Sequence, residues 1–227
     1  SVNDGASDND FDPLPDQTVT TNITDDDVAG FTIVQSGGTT AVDESGTTDT
    51  FTIVLDAQPA ENVVFTITSS DTGEATVSAS VEFTTANWNT AQTVTVTGVD
   101  DNIIDGTTTS TLTISVVDDV SDNDFDGVDD QTVSATTTDN DVAGFTITQT
   151  DGTTNVAETG TTDTFTIVLD AQPASDVVLT VTSSDTGEAT VNSPLTFTAG
   201  NWDTPQTVTV TGVDDNTIDG DITSTIT

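Results

Sequence analysis

Lysine, arginine and histidine are absent from this 227-residue chain, and so are cysteine, methionine and tyrosine. Each absence closes off chemistry. Without cysteine or histidine there is no thiol nucleophile, no Ser-His-Asp triad, no zinc site of the usual kind and no disulfide. Without lysine there is no Schiff base and no Lys–Asn isopeptide crosslink. Without any basic side chain nothing neutralises phosphate, which excludes nucleic acid and anionic membranes as partners. No run approaches ~18 consecutive apolar residues, so no membrane-spanning segment is expected. A starting methionine and a signal peptide are missing too, and the chain is expected to be a piece of something processed or larger.

What is present is carboxylate, hydroxyl, amide and apolar surface. Forty Asp and Glu give a formal net charge of -40. Only Glu44, Glu61, Glu74, Glu82, Glu158 and Glu188 are Glu; the rest are Asp. Acidic loops without basic partners need another cation, and a hard divalent ion with oxygen ligands is the natural one. Acidic disorder is the rival reading. It conflicts with the regular alternation of apolar residues with Thr.

The sequence repeats itself with a period of 114 residues and no gap. Asp27-Val28-Ala29-Gly30-Phe31 recurs at Asp141 to Phe145, Phe51 to Pro59 at Phe165 to Pro173, Asn87-Trp88 at Asn201-Trp202, and Val99 to Asn102 at Val213 to Asn216. Ser7 to Asp12 matches Ser121 to Asp126 in the same register. Ser1 thus aligns with Ser115 and Thr227 with Thr113. The organisation expected is a closing strand of a preceding module, or a donor strand, over 1–26, a complete module over 27–140, and a second module lacking its last strand over 141–227. Both ends fall within a predicted strand, which favours a window of one long polypeptide over strands exchanged between separate subunits. Either arrangement gives the same head-to-tail contacts and an open assembly.

A period of this length suits a small domain, not a solenoid turn. Strands read by alternation at Val28–Gln35, around Phe51-Ile53-Leu55, around Val63-Phe65-Ile67, near Val81–Phe83, around Val94-Val96, around Leu112-Ile114-Val116, and at Gln131–Thr138. No helical period appears. The fold class expected is all-β: tandem immunoglobulin-like sandwiches of about seven strands in an extended array.

Val28-Ala29-Gly30-Phe31, Val42 to Gly46, Val99 to Asp105 and Asp139-Asn140-Asp141 together resemble the Calx-β module, most of all the tandem form of long bacterial surface proteins. The resemblance covers both copies. It implies Ca²⁺ held at one end of the sandwich by Glu44, Asp71, Asp100, Asp101, Asp105 and the Asp139/Asp141 linker, with the Ile103 carbonyl as a backbone ligand. It also implies Glu158, Asp185, Asp214, Asp215 and Asp219 in the second copy, and Asp25 to Asp27 closing the site of a preceding module. Asp105 stands where the family often has Glu. Read from the residues alone, these acids fall in loops that a sandwich brings to one end, where they would repel one another by kcal/mol without a cation. Solvated turn Asp residues are the alternative.

Asp122-Asn123-Asp124-Phe125-Asp126-Gly127, with Asp130 at the ninth position, opens like an EF-hand loop, although Val133 occupies the place of its bidentate acid. A loop whose Phe plugs the core is the alternative. The upstream copy offers Asp8, Asp10, Asp12 and Asp16, with Pro13 in place of the Gly. Asp71-Thr72-Gly73 and Asp185-Thr186-Gly187 look like paired protease motifs, but module repetition sets them too far apart to share a proton. Trp88 and Trp202 are expected to cap cores rather than to stack on sugars, and Asn22-Ile23-Thr24 is a lone glycosylation sequon. The expected role is a Ca²⁺-rigidified segment of an extracellular filament, stalk or adhesin with no enzymatic activity. Its partners are neighbouring copies of itself. A ligand-binding adhesin module and a Ca²⁺ sensor are the alternatives.

Overall fold

The computed structural model describes residues 1, 3, 5–11, 13–218 and 220–227. They form an all-β structure whose only helical pieces are four short 3-10 turns. Among them no helix is long and apolar enough to cross a membrane.

The first copy of the repeat contains β1 (Phe31–Gln35), β2 (Thr40–Asp43), β3 (Thr48–Leu55), β4 (Val63–Ser69), β5 (Ala75–Val77), β6 (Ser80–Phe83), β7 (Gln92–Gly98), β8 (Thr108–Val116) and β9 (Gln131–Thr138). One sheet runs β1-β3-β7-β5 and the other β2-β9-β8-β4-β6. Every pairing is antiparallel except β2 with β9, which run parallel. The alternation that marks the strands also decides what they bury. Phe51, Ile53 and Leu55 of β3 face Phe65 and Ile67 of β4 and Leu112 and Ile114 of β8 in one closed core. Phe31 and Phe83 pack edge-on against the Phe65 ring at 4.8 and 6.0 Å. Each such ring pair adds about 0.5–1.5 kcal/mol beyond area burial. Trp88 and Trp202 pack against the cores of their own copies.

Two strands, β2 and β5, were not expected from the pattern. The stretch predicted as Val28–Gln35 begins at Phe31 and ends in a 3-10 turn over Ser36–Gly38. Gly37 (φ 64°) and Gly38 (φ 87°) take the left-handed backbone that side chains disfavour, and the chain there leaves the first sheet and joins the second as β2. Runs of three or four residues give alternation little to show, and β6, read near Val81–Phe83, is marked by Val81 and Phe83 alone.

The second copy repeats part of this plan. β10 (Phe145–Gln149), β11 (Thr162–Leu169), β13 (Ala189–Val191) and β15 (Gln206–Gly212) form a sheet in the order β10-β11-β15-β13. Its register matches the first copy residue for residue. Among the described residues, what faces it is β12 (Val177–Leu179) and β14 (Leu195–Phe197), plus a bridge between Ser183 and Ile226. The core is correspondingly open: Phe145 is 50% exposed, whereas its counterpart Phe31 is 4% exposed.

Candidate metal centre

The end of the first copy that faces the second is built from the β2–β3 turn, the β4–β5 turn, the β7–β8 loop and the chain leaving β9. Close backbone approach sets this up. A Cβ on Gly98, at the end of β7, would collide with the Asp43 carbonyl and lie 2.8 Å from its carbon. Glycine therefore lets the end of β2 press against the end of β7, and Glu44, the next residue, points inward at 1% exposure. Gly212 approaches Ala157 in the same way in the second copy.

Two sets of carboxylates converge there. Oxygens of Glu44, Asp101 and Asp141 all lie within 4.8 Å of one another, and so do oxygens of Glu44, Glu74 and Asp105. Ligand oxygens at about 2.4 Å from a shared Ca²⁺ can be at most twice that distance apart, so both sets meet the geometric condition for an ion. Glu44 belongs to both.

The surrounding polar groups are arranged as loop supports. Asp139 accepts hydrogen bonds from the Asp105 and Gly106 N–H groups at 3.1 and 2.8 Å and from the Asp141 N–H at 2.6 Å. These bonds, the one from Gly106 first, hold its carboxyl below the ordinary range. Asp139 thus ties the β7–β8 loop to the linker. Asp100 accepts from the Asn140 side chain at 3.2 Å, and Asp101 from the Ile103 N–H at 2.6 Å. Glu44 accepts from the Asn140 N–H at 3.3 Å. Burial pushes the Glu44 and Asp141 carboxyls up, and neighbouring acids (Asp139 and Asp101 around both) push them further. Asp141 Oδ2 is buried without a hydrogen-bond partner. A buried carboxylate oxygen with no donor, beside further carboxylates and no basic side chain, is the chemistry that a hard cation satisfies.

The structure sorts the expected ligands. Glu44, Asp101, Asp105 and Asp141 come together, with Asp100 and Asp139 at the edge of the group. Asp71 is exposed and accepts from the Gly73 N–H at 3.0 Å, capping its own turn. The acid that the β4–β5 turn supplies is Glu74, 8% exposed and accepting from the Thr108 hydroxyl at 2.6 Å. Ile103 forms a parallel bridge to Gln172 of the second copy, and the Gln172 N–H donates to the Asn102 carbonyl at 2.7 Å. The β7–β8 loop therefore touches both the acid cluster and the next repeat.

In the second copy Glu158 and Asp215 are half-buried and Asp185 and Asp214 are exposed; Asp219 lies outside the described residues. Asp185 caps Gly187 and Asp215 caps Thr217, as their counterparts cap in the first copy. Among the described residues no three acids gather there. Asp25 and Asp27 line a cleft of about 690 Å³ at the opposite end of the first copy, next to Asp122 and Phe125.

The EF-hand-like stretch is used differently. Both oxygens of Asp122 are committed to backbone: one accepts from the Ala60 and Glu61 N–H groups at 2.6 and 2.8 Å, the other from the Asp124 N–H at 3.0 Å. Asp124, Asp126 and Asp130 are exposed. Phe125, 2% exposed, closes the core beneath them. In the upstream copy Asp8 caps Asp10 and Asp16 pairs with the chain terminus at 3.6 Å; Asp12 lies outside the described residues.

No family model matches the chain, and no curated protein matches it in sequence. Solved structures that resemble it include the calcium binding domain CBD12 of CALX1.1, at 11% identity and a TM-score of 0.29, covering 81% of this chain and 76% of that one. Domains 5-6 of the S-layer protein SbsC match at 21% identity and a TM-score of 0.31, covering 81% of this chain and 83% of that one. The E. coli chaperone DraB matches at 7% identity and a TM-score of 0.36, covering 79% and 86%.

Proposed function

We propose that the chain is a tandem, Calx-β-like structural segment of an extracellular stalk, filament or adhesin, and that Ca²⁺ stiffens the junction between its repeats. The observation that carries this reading is Asp141 Oδ2, an unpartnered buried oxygen on the linker itself, placed against Glu44 and Asp101. Glu44, Glu74, Asp101, Asp105 and Asp141 are the side chains that would hold the ion. An ion there neutralises acids that otherwise repel one another. It also joins the residues leaving β9 to the β7–β8 loop, and that loop pairs with Gln172 of the next repeat. Loop, linker and neighbouring repeat then move as one body.

Calorimetric titration with Ca²⁺, paired with thermal unfolding in Ca²⁺ and in chelator, tests the reading. A single site at a hundredfold excess over its Kd adds about 2.7 kcal/mol to the folded state. A rise of several degrees in Tm is expected, abolished in Asp141→Asn. Identical melting curves in Ca²⁺ and chelator would overturn it.

A further inference from the structure

The β7–β8 loop of the first copy is held from two sides, and the two sides belong to different repeats. Acids stand at both ends of residues 101–105: Asp101 lies with Glu44 and Asp141, and Asp105 with Glu44 and Glu74. Between them Asn102, Ile103 and Ile104 turn to the second copy. The Gln172 N–H donates to the Asn102 carbonyl at 2.7 Å, and Ile103 bridges Gln172 in parallel. Ile104 shares an apolar cleft with Ala143, Gly144, Ala171, Gln172 and Pro173.

The turn that receives the loop is braced within its own repeat. The Gln172 side chain donates to the Ala199 carbonyl at 2.9 Å, which draws it away and leaves the backbone N–H to the loop. The Asp170 N–H donates to the Gly144 carbonyl at 3.0 Å, and the Asp170 carboxylate accepts from the Thr146 hydroxyl at 2.9 Å. A Cβ on Gly144 would collide with that carboxylate, so glycine permits the approach. The turn is thereby tied to Gly144, which follows closely on Asp141 in the chain. Asp-Ala-Gln-Pro stands at both 56–59 and 170–173, and the Gln58 side chain donates to the Thr85 carbonyl at 2.9 Å in the same way. The brace therefore forms in each repeat from its own residues. A turn held in this way has little freedom left to lose on docking.

We infer that Ile104 and Gln172 are positioning residues for the junction acids: the second repeat holds the β7–β8 loop where Asp101 and Asp105 meet Asp141. This rests on the calcium reading above and adds that the affinity of the ion is set in part by two residues that are not its ligands. Two segments run from the acids to the same turn. The loop reaches it at Ile104, beside Asp105, and the linker reaches it at Ala143 and Gly144, just past Asp141. On the first-repeat side Asp139 joins the two segments through the Asp105 and Gly106 N–H groups. Ile104 and Gln172 join them on the other side. Carriers fixed at two points leave the ion less motion to arrest, so the docked loop binds it more tightly. By linkage, the bound ion tightens docking by the same factor. The docking contacts themselves are apolar and backbone-to-backbone, and they persist without the ion.

Amide hydrogen exchange of the 227-residue chain in chelator tests the docking by itself. The Gln172 amide should exchange about tenfold more slowly than its counterpart at Gln58, as one net hydrogen bond allows, and Ile104→Ser should remove the difference. Calorimetric titration with Ca²⁺ then reads the coupling. Ile104→Ser, and Gln172→Pro, which deletes the bonded N–H, should each raise the Kd about tenfold at unchanged stoichiometry, the usual cost of losing a group that orients a ligand. Gln58→Pro makes the same change in the same local sequence at the opposite end of the first copy and should leave the Kd in place. Equal exchange at Gln172 and Gln58 overturns the docking and the inference with it. A wild type that binds Ca²⁺ beside Ile104→Ser and Gln172→Pro variants that bind it equally overturns the positioning role while the calcium reading stands. So does a loss of affinity in Gln58→Pro as large as that in Gln172→Pro. A wild type that binds no Ca²⁺ overturns the calcium reading, and the positioning role falls with it.

Discussion

Among the acids of the first copy, position in the repeat separates the buried from the solvated. Of its four glutamates, Glu61 and Glu82 are replaced in the second copy by Ser175 and Thr196, whereas Glu44 and Glu74 recur as Glu158 and Glu188. The two that recur are the two that are buried. That signal was available in the sequence and identifies Glu74, which the resemblance passed over in favour of Asp71. An Asp followed by Thr-Gly two residues before a strand caps its own turn, and its carboxylate is used up locally. The residue with the longer arm, one position before β5, reaches the interior. Gly98 makes a sharp residue-scale prediction. Gly98→Ala places a methyl group against the Asp43 carbonyl, and one strand end must retreat. A loss of about 1–3 kcal/mol is expected from such overpacking. Because Asp43 carries Glu44 with it, Ca²⁺ affinity should fall along with stability. Chemical denaturation and calorimetric titration of the same variant check both, and Gly212→Ala supplies the second-copy control for stability.

At the scale of the element, sequence alternation located the long strands and the four-residue β6, and missed β2 and β5. β3, β4, β7, β8 and β9, each seven or more residues long, bury three alternate residues apiece, and their pattern is readable without a structure. β2 and β5 exist because of tertiary pairing: β2 runs beside β9, almost 100 residues away, after a glycine kink. Nothing local specifies that. The stretch read as half of an EF-hand is explained at this scale too. Its first Asp faces inward onto the β3–β4 loop and its Phe faces the core, so it pins the long β8–β9 connection to the far side of the sandwich. The bonds from the Asp124, Glu61 and Ala60 N–H groups hold the Asp122 carboxyl below its ordinary value of 3.8. The unfolded chain therefore takes up that proton first. The stability Asp122 contributes is present above pH 3.8 and is lost as the pH falls through that value toward the lowered one. Asp122→Asn should destabilise the chain by about 1.5–3 kcal/mol near neutrality, the usual worth of hydrogen bonds to a charged group. The gap to wild type should close on acidification below the ordinary range. Thermal unfolding of both proteins across pH 3–6 reads it; a pH-independent gap would mean that the Asp122 charge is not what pins the loop.

For the molecule as a whole, the governing fact is forty acids and no basic side chain to offset them. Two distinct effects of cations follow, and they are separable. Any salt shortens the range of repulsion, from about 10 Å at 0.1 M to about 3 Å at 1 M, and so relieves the self-repulsion of the compact state without regard to ion identity. A divalent ion bound among Glu44, Asp101 and Asp141 acts at one place, where burial and neighbouring acids already disfavour the charged carboxylates. Screening is a property of total charge, whereas the bound ion depends on a few oxygens held within 4.8 Å of one another. Sodium chloride and calcium chloride at equal ionic strength should therefore both raise Tm, with calcium adding a further, saturating increment. Asp141→Asn removes one charge in forty, so it should leave the sodium response nearly intact and erase the calcium increment. Asp71→Asn removes the same charge from an exposed turn outside the cluster and should leave both. If the two variants behave alike, the calcium response is general screening by a divalent ion, and the junction is not where the metal acts.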